Sequence, residues 1–472
     1  MKNRKSLRVL YGAVLLSIAI AFTAGTCSFA SEKERRIEEK KRQSLAETER
    51  VILESQKRFV VDYGGWAEYR YDDYADNDKD ASVADALDYT NSLDTRFWLK
   101  AILRPAVDAA SRNVHYVYVR LKELFTQSYA LDKEWKNKQE SPLVEYAYAV
   151  VDLNPLWVEA GRQYISVGRG LAYSDVNDGV QVFLSWPDWR LKALASRTLP
   201  HQDNIDQSVP GSSAGSDKFF YGFEGAYRGM PGHNIYSFFL LQKDESDEEP
   251  PDDLQDYDYN SRYIGLGAHG DIIRNLHYLA EVVYENGTSR IFPSNEKADI
   301  DAWAGIFEVA YDADIYGHPR LSGRYAFGSG DKDRMSVTDT VGGNTSGIDR
   351  NFLYFGYIDT GYALAPRLSN LHFLKGTLSL TPFEEWRSFK NLAVTTSYYQ
   401  YYKDRAGGSI SDAVATEVKG FIGREMDFEI AWQIVSDLNC TVQYGHFFTG
   451  DAYAQTARDD EDYFSASLVL TF

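Results

Sequence analysis

Tyr463-Phe464-Ser465-Ala466-Ser467-Leu468-Val469-Leu470-Thr471-Phe472 alternates faces strictly and stops on an aromatic residue. Phe464, Ala466, Leu468, Leu470 and Phe472 fall on one side. Tyr463, Ser465, Ser467 and Thr471 fall on the other, as a strand between lipid and a watery lumen requires. A soluble edge strand alternates in the same way, so the rest of the chain decides between the two.

Working back from that segment, strand-length alternating stretches with turn signals between them recur from Phe59 onward. Val60 to Tyr71 places Val61, Tyr63, Ala67 and Tyr69 on one face and Asp62, Trp66, Glu68 and Arg70 on the other. About eighteen such segments of roughly ten residues occur, within the range of bacterial outer-membrane barrels. The expected fold is all-β: a transmembrane antiparallel β-barrel over residues 59–472 with short periplasmic turns and long extracellular loops. Short connections stand at Asn154-Pro155, Pro187-Asp188, Gly229-Met230-Pro231-Gly232, Ile272-Ile273-Arg274-Asn275 and Ser436-Asp437. Long ones are expected around 72–92, 124–142, 166–178, 199–218, 243–260 and 286–299. Phe352–Ala363 also alternates, but as a spanning strand it would put neighbouring connections on incompatible sides. Treating 328–370 as one extracellular loop restores an even strand number and returns the C-terminus to the periplasm.

The N-terminus has the layout of an export signal. Lys2, Arg4, Lys5 and Arg8 precede an apolar stretch from Val9 to about Phe22, and Ser28-Phe29-Ala30 offers small residues for cleavage after Ala30. Ala24-Gly25-Thr26 before Cys27 is a poor lipidation site. Residues 1–30 are therefore a signal peptide, and the mature chain keeps Cys440 alone, which forbids an intramolecular disulfide. Residues 31–58, dense in Glu, Lys and Arg, form a charged periplasmic segment, helical or disordered. Beyond the signal no apolar run reaches the length of a membrane helix, and mean hydropathy is −0.41. The 34 Tyr, 25 Phe and 9 Trp find a use in a barrel as girdles at the two membrane interfaces. A net charge of −19 argues against nucleic acid as a partner.

No catalytic motif stands out. The eight His residues lack HExxH spacing, GxSxG is absent, and one mature Cys cannot build a thiolate metal site, so neither a metal nor a cofactor is expected. The acidic stretches Asp244 to Asp253, Asp72 to Asp80 and Asp459 to Asp462 lie in expected loops, where they are solvated or bind cations that bridge to lipopolysaccharide phosphates.

The informative residues are those that alternation turns inward. Apolar neighbours facing lipid leave Arg96, Lys100, Arg120, Arg190, Arg320, Arg324 and Lys375 in the lumen, together with the acids Glu68, Glu281, Glu308, Glu425, Asp427 and Glu429. A charge facing lipid near the midplane costs about 2–4 kcal/mol, which supports these sides. Both faces of the Arg162 segment are polar, and Arg424 falls on an outward face where only a rim position suits it. Lumen charges either pair across the barrel and fill it, or line a path that attracts an anion through many weak contacts.

Several motifs resemble the alginate-export outer-membrane porin family. They are Leu156-Trp157-Val158-Glu159-Ala160-Gly161-Arg162-Gln163 with Gly168-Arg169-Gly170 and Asp178-Gly179-Val180, then Tyr325-Ala326-Phe327-Gly328-Ser329-Gly330-Asp331. Tyr354-Phe355-Gly356-Tyr357-Ile358-Asp359, Gly423-Arg424-Glu425-Met426-Asp427 and Tyr444-Gly445-His446-Phe447-Phe448-Thr449-Gly450-Asp451 follow in the same order. The resemblance implies a monomeric eighteen-stranded barrel in a Gram-negative outer membrane, with an Arg-rich lumen, Arg162 included, that passes an acidic exopolysaccharide outward.

The expected function is thus an outer-membrane channel for a carbohydrate polymer such as alginate, working with periplasmic export-machinery proteins because no nucleotide-binding motif supplies energy. Outer-membrane lipid and lipopolysaccharide are the expected surroundings. A diffusion porin for another, smaller solute and a structural or adhesion barrel acting through acidic loops are the alternatives.

Overall fold

The computed structural model describes residues 59–75, 89–103, 114–129, 135–199, 217–245, 258–338 and 343–472. The expected signal peptide over 1–30, the expected charged segment over 31–58 and most of the acidic stretch 244–253 lie outside these residues.

The described chain contains eighteen strands: β1 Phe59–Ala75, β2 Tyr89–Leu103, β3 His115–Tyr129, β4 Trp135–Asp152, β5 Leu156–Ser166 and β6 Ser174–Ser185. They continue as β7 Trp189–Arg197, β8 Lys218–Tyr227, β9 His233–Asp244, β10 Asn260–Ile273, β11 Leu276–Ile291 and β12 Glu296–Asp312. The last six are β13 Arg320–Gly328, β14 Leu371–Leu380, β15 Leu392–Lys403, β16 Phe421–Val435, β17 Leu438–Thr449 and β18 Glu461–Thr471. Each pairs antiparallel with its sequence neighbours, and β1 also pairs with β18 from Trp66↔Thr471 to Ala75↔Asp462. That last ladder closes the sheet, which removes every edge and satisfies the backbone internally, the condition for a β structure to span lipid.

Side-chain exposure separates the two faces. On β1, Val61 and Tyr63 are exposed while Trp66, Glu68, Arg70 and Asp72 are buried. On β2, Phe97, Leu99 and Leu103 are exposed while Asp94, Arg96 and Lys100 are buried. Apolar side chains that face outward from a closed barrel belong in lipid, so the chain is an outer-membrane barrel and its polar face is the lumen. Aromatic pairs such as Tyr284 with Trp303, 4.5 Å apart, and Trp189 with Tyr227, 4.8 Å apart, supply the girdles.

Two expected loops differ from what the sequence suggests. Most of 124–142 and 286–299 continues the ladders: β3 and β4 pair out to Tyr129↔Trp135, and β11 and β12 out to Ile291↔Glu296. Asn286-Gly287-Thr288-Ser289 shows no apolar face because the arm stands above the lipid, where backbone pairing alone defines the strand. The segment Phe352–Ala363 is not a barrel strand. It runs between β13 and β14 and folds into the lumen, where Phe352, Leu353 and Tyr354 are buried.

A lumen crossed by two clamped loops

The β5–β6 connection turns inward. Gly168 and Gly170 hold φ of 52° and 84°, a left-handed conformation that glycine adopts without strain. The Gly168 amide donates to Glu224 Oε2 of β8 at 2.9 Å, and the Arg169 amide donates to Glu281 Oε2 of β11 at 2.7 Å. Lys192 of β7 donates to the Ser166 carbonyl, and the Tyr173 ring stacks on Phe220 of β8 at 4.2 Å. The tip is thereby fixed to the barrel wall at β7, β8 and β11.

The β13–β14 connection meets it edge to edge. Phe355 N donates to Ala172 O at 2.9 Å, Ser174 N to Phe355 O at 3.1 Å and Tyr357 N to Gly170 O at 3.0 Å, a short parallel ladder inside the barrel. A Cβ on Gly356 would lie 2.0 Å from the Gly170 carbonyl oxygen, so the approach requires glycine.

Wall carboxylates hold this second loop as well. Leu353 N donates to Glu285 Oε2 at 3.0 Å. Further along, Glu425 of β16 accepts three successive amides, from Tyr362 at 2.6 Å, Ala363 at 2.8 Å and Leu364 at 3.1 Å. The Tyr362 hydroxyl donates to Glu429 at 2.8 Å. Between these anchors, Asp359 receives Lys375 of β14 and lies 4.0 Å from Arg324 of β13. Burial pushes the Asp359 carboxyl up, but Lys375 and then Arg324 outweigh it and hold it below the usual carboxylate value.

The charged residues singled out from the sequence fall into separate groups. Arg96 and Arg120 gather around Trp66, their guanidinium carbons 5.4 and 5.0 Å from its ring. Glu145 lies 3.3 Å from Arg96 and 2.7 Å from Arg120, and Asp94 lies 2.9 Å from Arg96. Lys100 stands 4.2 Å over the Tyr116 ring, and Glu68 is buried on the neighbouring strand. Arg324 also pairs with Glu308 at 2.7 Å. Arg190 lies over Phe183 at 4.7 Å, and Arg320 pairs with Asp312 at 2.8 Å near the short-turn end. Glu425 and Asp427 stand side by side on β16, both buried. Arg162 is apart from all of these. It pairs in register with Ala147, binds Asp178 at 2.9 Å and caps the Val144 carbonyl at 2.9 Å where β5 leaves β4. Arg424 is exposed beside Phe421 on the outward face near the loop end of β16.

Sequence reasoning missed Glu145, Glu224, Glu285, Asp359 and Arg169 as participants. Glu145 is the extra residue of a bulge opposite Arg120 and Leu121, and a bulge breaks the alternation that assigns faces. For Arg169 a signal existed, since Gly-Arg-Gly at a strand end marks a tight turn that presents one long cation.

The fold has relatives among solved outer-membrane porins. Pseudomonas aeruginosa OccK5 (OpdH) superposes with a TM-score of 0.51 at 12% identity, covering 87% of this chain and 98% of that one. Acinetobacter baumannii OccAB2 gives 0.53 at 15% identity over 87% and 98% of the two chains. P. aeruginosa OpdK, solved with vanillate, gives 0.52 at 12% identity over the same shares, 87% and 98%. At these identities the likeness concerns the fold. No curated protein matches the chain by sequence. The family model for alginate export matches residues 109–467, most of the barrel and both inward loops. The chain belongs to the alginate export family of outer-membrane β-barrels.

Proposed function

We propose that this protein is a passive outer-membrane channel through which an anionic carbohydrate polymer passes from the periplasm to the cell surface. The observation that carries the reading is the use made of the inner-wall acids. Glu224, Glu281, Glu285 and Glu425 accept backbone amides of the two crossing loops, and Asp359 and Glu308 are paired with cations. These carboxylates are thus committed to holding loops or pairing cations, while Arg190 and Arg228 stand on the short-turn side of the lumen and Arg320 stands there beside its partner Asp312. A row of such cations draws a polyanion by field and releases it because no single contact is strong. Membership of the alginate export family supports the same substrate class.

The crossing loops favour a second reading, diffusion of a small solute, because they narrow the lumen without any partner present. Both readings are tested by single-channel recording of the refolded full barrel across a salt gradient, with polyuronates titrated in. Anion selectivity with polyuronate block supports the exporter. A pore that ignores polyuronates but passes small anions supports the diffusion porin.

A further inference from the structure

We propose that the β14–β15 connection, residues 381–391, is a membrane foot: it lays its aromatic rings into the periplasmic leaflet and gathers anionic phospholipid around Arg387 and Lys390. The inference is independent of what the channel carries.

The connection reads Thr381-Pro382-Phe383-Glu384-Glu385-Trp386-Arg387-Ser388-Phe389-Lys390-Asn391 and is the longest short-turn connection among the described residues. It folds back onto the outer wall of the barrel. The Phe389 ring stacks on Trp432 of β16 at 5.0 Å, and Trp432 Nε1 donates to the Ser388 carbonyl at 3.0 Å. Trp432 alternates with the exposed Phe428 and Ile430, so it belongs to the lipid-facing side of β16. It lies eight residues from Arg424 at the opposite rim, about 26 Å along the strand, which puts it at the periplasmic edge of the apolar band.

From that edge a file of rings leads away from the wall. Trp386 follows Phe389 at 6.3 Å, and Phe383 follows Trp386 at 5.2 Å. Trp386 is 59% exposed, and Ile315 and Tyr316 of the adjoining β12–β13 turn are as bare. The two turns are tied together: Tyr316 donates to the Pro382 carbonyl at 2.9 Å, and the Thr381 amide to Gly317 at 2.7 Å. A braced apolar surface next to the hydrocarbon band is suited to the interface, where Trp and Tyr are favoured.

The charges select the lipid. Glu384 is engaged by the Gly317 amide at 3.3 Å and by His318 at 3.1 Å. Glu385 then stands against two exposed cations, Arg387 and Lys390, neither in an ion pair among the described residues. Their long stems reach along the rings and place the charged heads at the level of lipid phosphates. Each such cation enriches anionic lipid by about fivefold.

The test folds the full mature chain into phosphatidylcholine vesicles that contain a small, equal fraction of chain-brominated lipid, either phosphatidylglycerol or phosphatidylcholine. Wild type and the Arg387→Gln, Lys390→Gln double variant are each measured with and without Trp386→Phe, so that the difference isolates the emission of Trp386. Heat-modifiable gel migration confirms folding. Trp386 is expected to emit to the blue of a water-exposed indole and to be quenched roughly fivefold more efficiently by brominated phosphatidylglycerol than by brominated phosphatidylcholine. In the double variant that ratio falls toward one while the blue emission stays. A Trp386 signal that is unshifted and unquenched overturns the foot and points to a soluble partner for these rings. Equal quenching by the two lipids in wild type overturns the preference for anionic phospholipid.

Discussion

The Arg169 amide donates to Glu281 Oε2 at 2.7 Å, so a carboxylate one would expect to neutralise an arginine binds its backbone instead. The same economy recurs at Glu425, which binds three consecutive amides and touches no cation on the loop it holds. Acids of the lumen act here as anchors that set where loops stand, and the positions of loops set the width of the path.

Removing the first anchor frees the hairpin tip. Glu281→Ala is expected to raise single-channel conductance and open-channel noise, while Glu281→Gln, which keeps an acceptor oxygen, stays near wild type. Loss of bonds to a charged group costs about 1.5–3 kcal/mol, so the urea midpoint of the Ala variant falls as well. Equal conductance in all three proteins would sink the anchoring role.

Removing the second anchor is read locally. In Glu425→Ala the amides of Tyr362, Ala363 and Leu364 lose their acceptor, and hydrogen exchange of the segment 352–364 accelerates while the barrel strands stay protected. Unchanged exchange across that segment would show that the loop is held elsewhere.

How much of this was legible beforehand follows from what alternation can carry. Strand number, the lipid-facing side and the inward direction of Glu281 and Glu425 are local properties, written in period two along each strand. The partners of those acids are not local. Glu425 and Tyr362 are 63 residues apart, and Arg169 and Glu281 are 112 apart. No spacing rule connects such pairs, so the acids read as path residues. The arms of β11 and β12 escaped for a different reason, since Asn286 to Ser289 carry no apolar alternation although the ladder continues and its inner face, with Ser289, Ala298 and Ile300, is buried beside the β13–β14 connection.

Asp359 makes the second loop sensitive to acid. Its carboxyl is buried, but Lys375 and Arg324 hold it below the usual value of about 4. A depressed pKa means that its contribution is complete above that value and is lost as pH falls through the lowered one. In Lys375→Met the depression shrinks, so exchange of 352–364 should begin to rise at a higher pH than in wild type. Coincident pH profiles for the two proteins would remove this ion pair from the loop's stability.

The outer face can be tested by one substitution whose control is already in the sequence. Leu266 is 64% exposed on β10, and Arg262 shares its face four residues toward the loop end, about 13 Å along the strand. Arginine is therefore natural at the rim, and at 266 it would stand against the hydrocarbon. Leu266→Arg is expected to destabilise the protein in a bilayer by about 2–4 kcal/mol, whereas Leu266→Phe stays near neutral. On a water-facing surface the same arginine would change stability by less than about 0.5 kcal/mol. Urea titration in lipid vesicles separates these outcomes, and a neutral Leu266→Arg would mean that the apolar face of β10 does not meet lipid at this height.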